Sequence, residues 1–224
     1  VVGAGPTGAS GARRLAASGI DVLLLDASAF PRSKPCGDCL SPGATPLLQE
    51  LGVLERVERR GAGRLAGWRI RTPGGVWFGG RFGTGGDAGP RRRGLSLPRR
   101  ELDDALVAAA VEAGARLRER TRVFGLLRED GRIAGVRARD RGGDPLELRA
   151  RVVVGADGLR STVARRLAGV RRGPRDRLAV VGRFAGVTGP DRGGGEVAFG
   201  EMRLSREGML GLAPAGEGRW NATL

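Results

Sequence analysis

The residues that could do chemistry begin at the first position. Val1-Val2-Gly3-Ala4-Gly5-Pro6-Thr7-Gly8 sets two β-branched residues directly before Gly-x-Gly-x-x-Gly. A strand, a tight turn and a helix N-terminus in this order offer backbone N–H groups and the positive end of a helix dipole to a pyrophosphate. Gly3 is expected to make the turn, Gly5 to let the backbone approach the phosphates, and Gly8 to let helix and strand pack closely. Asp26 follows 18 positions after Gly8, at the end of an apolar run. An acid there can accept hydrogen bonds from ribose hydroxyls. The alternative is a βαβ unit without phosphate, whose glycines serve packing alone.

Three further stretches carry reactive side chains. Asp157 lies in Gly155-Ala156-Asp157-Gly158, after a Val-rich run and just before Ser161. That is the C-terminal edge of a parallel sheet, where ligands bind; a carboxylate satisfied by local N–H groups is the plainer reading. Cys36 and Cys39 form Cys-x-x-Cys. With no His and no other Cys, a closed zinc site within the chain is not expected and no metal is assigned. A thioredoxin-like pair wants its thiols at a helix N-terminus, and Ser41 is close enough to keep that reading open. Arg99 stands at the start of a helix. No His and no Tyr occur, so no catalytic acid or base is named.

These residues need an α/β frame. A first helix is expected over 9–18, with Ala9, Ala12, Leu15 and Ala16 toward the sheet and Gly19 as its stop. Residues 20–26 read as a parallel strand buried on both faces. A helix is expected from Ser41 as N-cap, with Leu47, Leu48 and Leu51 as its apolar side. Trp68–Thr72 and Val76–Phe78 flank Pro73-Gly74-Gly75 as a hairpin. Gly79 to Arg93 is expected as a loop. A helix running to Ala113 buries Leu102, Leu106, Ala109 and Ala110, and Arg116–Arg118 rejoins the parallel sheet. Residues 121–150 form a three-stranded meander whose first turn is Asp130-Gly131. Arg151–Val154 reads as another buried strand. Residues 178–224 read as antiparallel strands of a second sheet, with a hairpin through Pro214 to Gly218.

Composition narrows the partners. The formal charge is +15, from 39 Lys+Arg against 24 Asp+Glu, but Lys34 is the only lysine and the arginines are scattered. With 4% aromatic residues there is no base-stacking surface, and nucleic acid is not expected as a partner. A basic surface beside a lipid membrane fits better, as peripheral association. No signal peptide and no spanning run are visible, so the expected location is cytoplasmic. Val1 starts inside a strand and Leu224 ends a β-like run, so the chain is read as a fragment.

Taken together, these motifs resemble FAD-dependent oxidoreductases of the p-hydroxybenzoate hydroxylase class, and within it most of all the geranylgeranyl reductase family. The resemblance rests on Gly3–Gly8 with Asp26, Pro35-Cys36-Gly37-Asp38 with Ser41-Pro42, Arg99-x-x-Leu102-Asp103, Gly155-Ala156-Asp157-Gly158 with Ser161, and Gly211–Pro214 followed by Gly218–Asn221. It covers only the N-terminal part of such an enzyme. It implies a Rossmann-like FAD-binding domain over 1–60 and 95–170, and part of a mainly antiparallel substrate domain over 61–94 and 171–224. It implies FAD contacts at Gly3, Ala4, Gly5, Pro6, Thr7, Gly8, Asp26, Ala27, Cys36, Gly37, Arg99, Val123 (through its backbone), Gly155, Asp157 and Gly158. The second cysteine departs from the family pattern. NAD(P)H is implied as electron donor and an isoprenoid double bond as substrate, with Trp68, Ile70, Trp77 and Phe78 walling an apolar pocket. A flavin monooxygenase acting on an aromatic or polyketide-like substrate is the alternative on the same fold. A non-catalytic nucleotide-binding module is the alternative of another class.

Overall fold

The computed structural model describes residues 1–83, 93–167, 178–186, 198–216 and 218–224. In chain order the elements are α1 (Pro6–Ala17), β1 (Leu23–Leu25), β2 (Cys39–Leu40), α2 (Ala44–Glu50), α3 (Leu54–Arg59), β3 (Gly63–Arg71), β4 (Trp77–Arg81), β5 (Gly94–Ser96), α4 (Arg99–Glu112), β6 (Arg116–Arg118), β7 (Arg122–Glu129), β8 (Arg132–Arg139), β9 (Pro145–Arg149), α5 (Thr162–Leu167), β10 (Val181–Ala185), β11 (Ala198–Leu204), β12 (Met209–Pro214) and β13 (Arg219–Thr223). They fall into two compact units, one of Val1–Arg32 with Asp103–Asp176, the other of Ser33–Leu102 with Arg177–Leu224.

The first unit is built on parallel pairing. β1 runs parallel to β6, and Val2 bridges in parallel to Leu25 on one side and to Gly155 on the other. The ladder is carried by Gly3 N–H to Leu25 O at 2.8 Å, Val2 N–H to Val154 O at 2.8 Å and Ala156 N–H to Val2 O at 2.8 Å. The segment at 153–155, the Val1–Gly3 segment, β1 and β6 therefore lie side by side. β7, β8 and β9 form the expected antiparallel meander. Asp130 and Gly131, with φ of 48° and 76°, make its first turn, as the left-handed pair of a tight hairpin requires. Val123, Val136 and Ala138 of the meander pack with Val2, Leu25 and Val163 in one core cluster. Each large side chain so buried contributes roughly 2 kcal/mol.

Local details differ from expectation. The helix α1 starts at Pro6, which suits a first helical position because it has no N–H to satisfy. Ala9 and Ala12 are fully buried, whereas Leu15 and Ala16 are half-buried. Ile20 is exposed, since Gly19 (φ 78°) turns the chain before β1 begins. Arg151–Val154 is not a buried strand: Val152 and Val154 are 73% and 40% exposed. Among the described residues this segment is the edge of the parallel sheet, so only its inward face is covered.

Among the described residues, the second unit is an eight-stranded sheet in the order β10-β13-β12-β11-β3-β5-β2, with β4 also on β3. It is mixed, because β11 runs parallel to β3. β5 and β4 pair antiparallel with successive halves of one edge of β3, and Leu65 pairs with Gly94 on that edge and with Ala198 on the other. β11 takes the remaining edge. The β3–β4 and β12–β13 hairpins are as expected, and Gly79–Arg81 belong to β4 rather than to a loop. The rest of the expected 79–93 loop, and the start and middle of 171–224, lie in part outside the described residues. The helix expected from Ser41 starts at Ala44, because Ala44 N–H and Thr45 N–H bond back to Ser41 O and Pro42 O in a turn. Leu48 and Leu51 are buried and Leu47 is exposed. As compact bodies, residues 33–60 and 95–102 belong with the second sheet and not with the first unit. Their strands β2 and β5 are hydrogen-bonded into it.

Candidate functional site

In the first unit, the glycine turn, Asp26 and the Asp157 loop come together. Gly3 has φ of 93°, and a Cβ on it would stand 2.5 Å from Ala156 O. A Cβ on Gly8 would stand 1.8 Å from Gly3 O. Both positions exclude any side chain, for the turn and for helix–strand packing respectively. The N-cap of α1 is Gly5, without a side-chain cap and with no acid in the first turn. The first N–H groups of a helix have no acceptor within it. An uncapped, acid-free N-terminus beside a backbone cradle fits a pyrophosphate. Thr7 is exposed there.

Asp26 is held in place by backbone. Its Oδ2 accepts Ala4 N–H at 2.9 Å and its Oδ1 accepts Ser28 N–H at 2.9 Å. Each carboxylate oxygen accepts more than one hydrogen bond, so capacity remains for ribose hydroxyls. Ala27 beside it is exposed. Arg32 had no assigned role in the sequence, where nothing marks it among so many arginines. Its Nη2 lies 3.3 Å from Asp103 Oδ2, whose side chain is fully buried, and 3.7 Å from Asp26 Oδ2. The guanidinium also sits 5.1 Å from the Phe30 ring centroid.

Asp157 caps α5. Its Oδ1 accepts the Ser161 hydroxyl at 2.5 Å, and its Oδ2 accepts Thr162 N–H at 2.5 Å and Val163 N–H at 3.3 Å. Ser161 Oγ in turn accepts Ala164 N–H at 2.9 Å. The local satisfaction read as the plainer role is thus realised, and the cap holds Gly155–Gly158 against the glycine turn. Gly155 has no room for a side chain, since a Cβ would meet Val163 at 2.8 Å. Gly158 has φ of 77°. The Val123 side chain lies in the core, which leaves only its backbone for a ligand.

In the second unit, Cys36, Gly37 and Arg99 gather around Asp38, a residue that sequence reasoning quoted but did not assign. Asp38 has φ of 57° and a fully buried carboxylate. Arg183 donates to it from Nε at 2.7 Å and Nη2 at 3.0 Å, Asn221 from Nδ2 at 2.7 Å, and Arg99 from its backbone N–H at 3.2 Å. The hydrogen bonds of Arg183 to Asp38 raise the pKa of its guanidinium, against a lowering by burial. Cys39 stands half-buried on the two-residue strand β2. Burial pushes its thiol up to about 11, against a lowering hydrogen bond from Ser96 and with Asp38 and Cys36 adding to the rise. Its Sγ–H donates to Gly37 O at 3.1 Å. Low-pKa thiols need an electropositive site or a helix N-terminus, and α2 begins too late to supply one.

The same unit carries a cleft of about 670 Å³ lined by Arg69, Trp77, Phe78, Arg81, Phe199 and Glu201. Arg69 and Arg81 lie 5.1 and 5.0 Å from the Phe199 ring centroid. Trp77 and Phe78 line it. Trp68 and Ile70 do not, because side chains alternate along β3 and Arg69 takes the cleft face. The Trp68 ring instead lies over Gly200, where a Cβ would meet it at 2.6 Å.

Comparison with known proteins assigns this architecture. Residues 1–208 match the model of the FAD binding domain. The chain belongs to that family. FAD is therefore the cofactor. Over 172 residues it is 36% identical to the menaquinone reductase of Mycolicibacterium smegmatis, covering 74% of this chain and 38% of that protein. It is 38% identical over 179 residues to the 6-methylpretetramide 4-monooxygenase of Streptomyces rimosus, covering 80% and 41%. With digeranylgeranylglycerophospholipid reductase 1 of Methanothermobacter thermautotrophicus it shares 34% identity over 169 residues, covering 74% and 40%. Among solved structures, the myxobacterial chondrochloren halogenase aligns with a TM-score of 0.85 at 26% identity, covering 99% of this chain and 51% of that one. The geranylgeranyl reductase resemblance and the α/β fold thus both hold. The chain spans about two-fifths of the length of the curated relatives it matches. No described helix is long and apolar enough to cross a membrane.

Proposed function

We propose that the full-length protein bearing this chain is an FAD-dependent reductase. It would take electrons from NAD(P)H and saturate carbon–carbon double bonds of an isoprenoid substrate. The observation that carries the reading is the glycine turn against the Asp157 loop, with Asp26 pinned by Ala4 N–H at 2.9 Å. In this reading the N–H groups of Thr7 and Gly8 meet the pyrophosphate and Asp26 the adenosine ribose. Gly155, Asp157 and Gly158 stiffen the turn, and Ala27 and the Val123 backbone border the adenosine. Cys36, Gly37 and Arg99 line the flavin. When bound, FAD supplies the hydride chemistry and the protein supplies position and electrostatics. The aromatic lining of the Phe199 cleft supports an apolar substrate, and a lipid substrate would bring the protein to a membrane surface.

The test is anaerobic incubation of the full-length protein with NADPH and a prenylated substrate, followed by mass spectrometry. Gain of hydrogen across a prenyl double bond supports the reading. A second reading, monooxygenation of a polyketide-like ring, is favoured by the 38% identity to the Streptomyces enzyme. Oxygenated product, or peroxide release stimulated by such a substrate, would establish it instead. A full-length protein that purifies colourless and takes up no FAD would sink both readings.

A further inference from the structure

The two stretches of the second unit proposed to line the flavin share a single anchor, Asp38. Asp38 receives four hydrogen bonds on its two oxygens, from Arg99 N–H, from two nitrogens of Arg183 and from Asn221. Asn221 is 1% exposed, and its Nδ2 also donates to Cys36 O at 3.1 Å. The Thr223 hydroxyl donates to Asn221 Oδ1 at 2.9 Å, which fixes which end of the amide faces Asp38. The Asp38 carbonyl accepts Leu97 N–H at 2.9 Å, two residues before α4. Partners 145 and 183 positions away in sequence thus converge on one carboxylate.

This arrangement sets the direction of a peptide. In a trans peptide the C=O and the N–H point opposite ways. With Cys36 C=O held on Asn221, the Gly37 N–H is turned away from the network. Among the described residues, a Cβ on Gly37 would meet only Thr223 Oγ1, at 3.9 Å. The carboxylate also sits on the first N–H of α4, where an anion complements the helix dipole and fixes where Arg99 begins. A carboxylate that receives four hydrogen bonds, two of them from one arginine, is a stiff support.

We infer that Asp38, acting through Asn221 and Arg183, is the positioning residue of the flavin pocket. It orients the Cys36–Gly37 peptide and the start of α4 so that the Gly37 N–H stands as a fixed donor toward the flavin. The inference rests on the FAD-reductase reading above. A fixed donor favours the electron-rich, reduced form of the ring over the oxidised one. Asp38 therefore tunes the flavin potential upward without touching the cofactor.

The experiment measures the FAD midpoint potential and FAD dissociation constant of the full-length protein, in wild type, Asp38→Asn and Thr223→Val. Thr223→Val removes only the hydroxyl that orients Asn221, and it keeps the fold testable if Asp38→Asn does not accumulate. Both variants are expected to bind reduced FAD more weakly relative to oxidised FAD. The expected change is about tenfold for Asp38→Asn, a lowering of about 30 mV for this two-electron couple, with a smaller shift of the same sign for Thr223→Val. A purely structural role would weaken both redox forms alike and leave the potential unmoved. An unmoved potential in both variants overturns the inference while FAD binding by wild type leaves the FAD reading standing. Absence of FAD from the wild type instead removes the reading on which it rests.

Discussion

Gly8 packs so closely on Gly3 that a Cβ built on Gly8 would stand 1.8 Å from the Gly3 carbonyl oxygen. The neighbour is backbone and cannot swing aside. Gly8→Ala should therefore cost about 3 kcal/mol or more and empty the FAD site. Gly11 lies in the same helix, and no described residue comes within 4 Å of its would-be Cβ. Gly11→Ala should stabilise the protein by roughly 0.5–1 kcal/mol through helix propensity. Thermal denaturation of the two variants checks the contrast, and equal melting temperatures would refute it.

Asp26 holds Ala4 and Ser28 by their N–H groups while facing the proposed ribose. Replacing it with Ala removes a charged acceptor, whose hydrogen bonds are worth about 1.5–3 kcal/mol each. FAD affinity in Asp26→Ala should fall by one to two orders of magnitude, with Asp26→Asn between it and wild type. Flavin fluorescence titration reads this directly. Wild-type affinity in the Ala variant would remove Asp26 from the site.

Asp157 joins the FAD question to helix capping. Asp157→Ala strips the cap of α5 and should cost about 1–2 kcal/mol. It should also weaken FAD retention, because the capped loop is what Gly3 packs against. Ser161→Ala loses part of the same cap while sparing the carboxylate. It should cost stability with a smaller loss of flavin. Flavin content unchanged in Asp157→Ala would count against any part for the loop in holding the cofactor.

The Cys39 thiol, pushed up to about 11 by burial, keeps its proton at neutral pH. Iodoacetamide at pH 8 should modify Cys39 far more slowly in the folded protein than in the same protein unfolded in urea, as peptide mass spectrometry will show. The raised value also carries a pH signature. The stabilisation is fully present below the unfolded thiol's pKa of about 8.5. It is lost as pH rises toward about 11, because the unfolded chain gives up its proton first. Cys39→Ser should flatten that part of the stability curve, and an unaltered curve would rule the thiol out as its source.

Much of this protein was written locally. The Gly3–Gly8 turn, the Asp130-Gly131 hairpin and the α4 face of Leu102, Leu106, Ala109 and Ala110 depend on neighbours within a few residues. Backbone conformation, side-chain period and turn chemistry act over that range, so residue types alone announce them. The parallel placement of β11 on β3 was not legible. It is set by pairing between strands far apart in the chain. The same holds for the Trp68 face, which follows from register, and for the exposure of Val152 and Val154, which follows from their place at the sheet edge. Arg32 and Asp38 are the sharpest cases. An arginine among many and an acid in a loop carry no signal of burial. Only the fold sets Arg32 beside Asp103 and Asp38 beside Arg183 and Asn221. Removing a carboxylate from water is tolerated only where distant donors meet it, and those donors are supplied by tertiary structure.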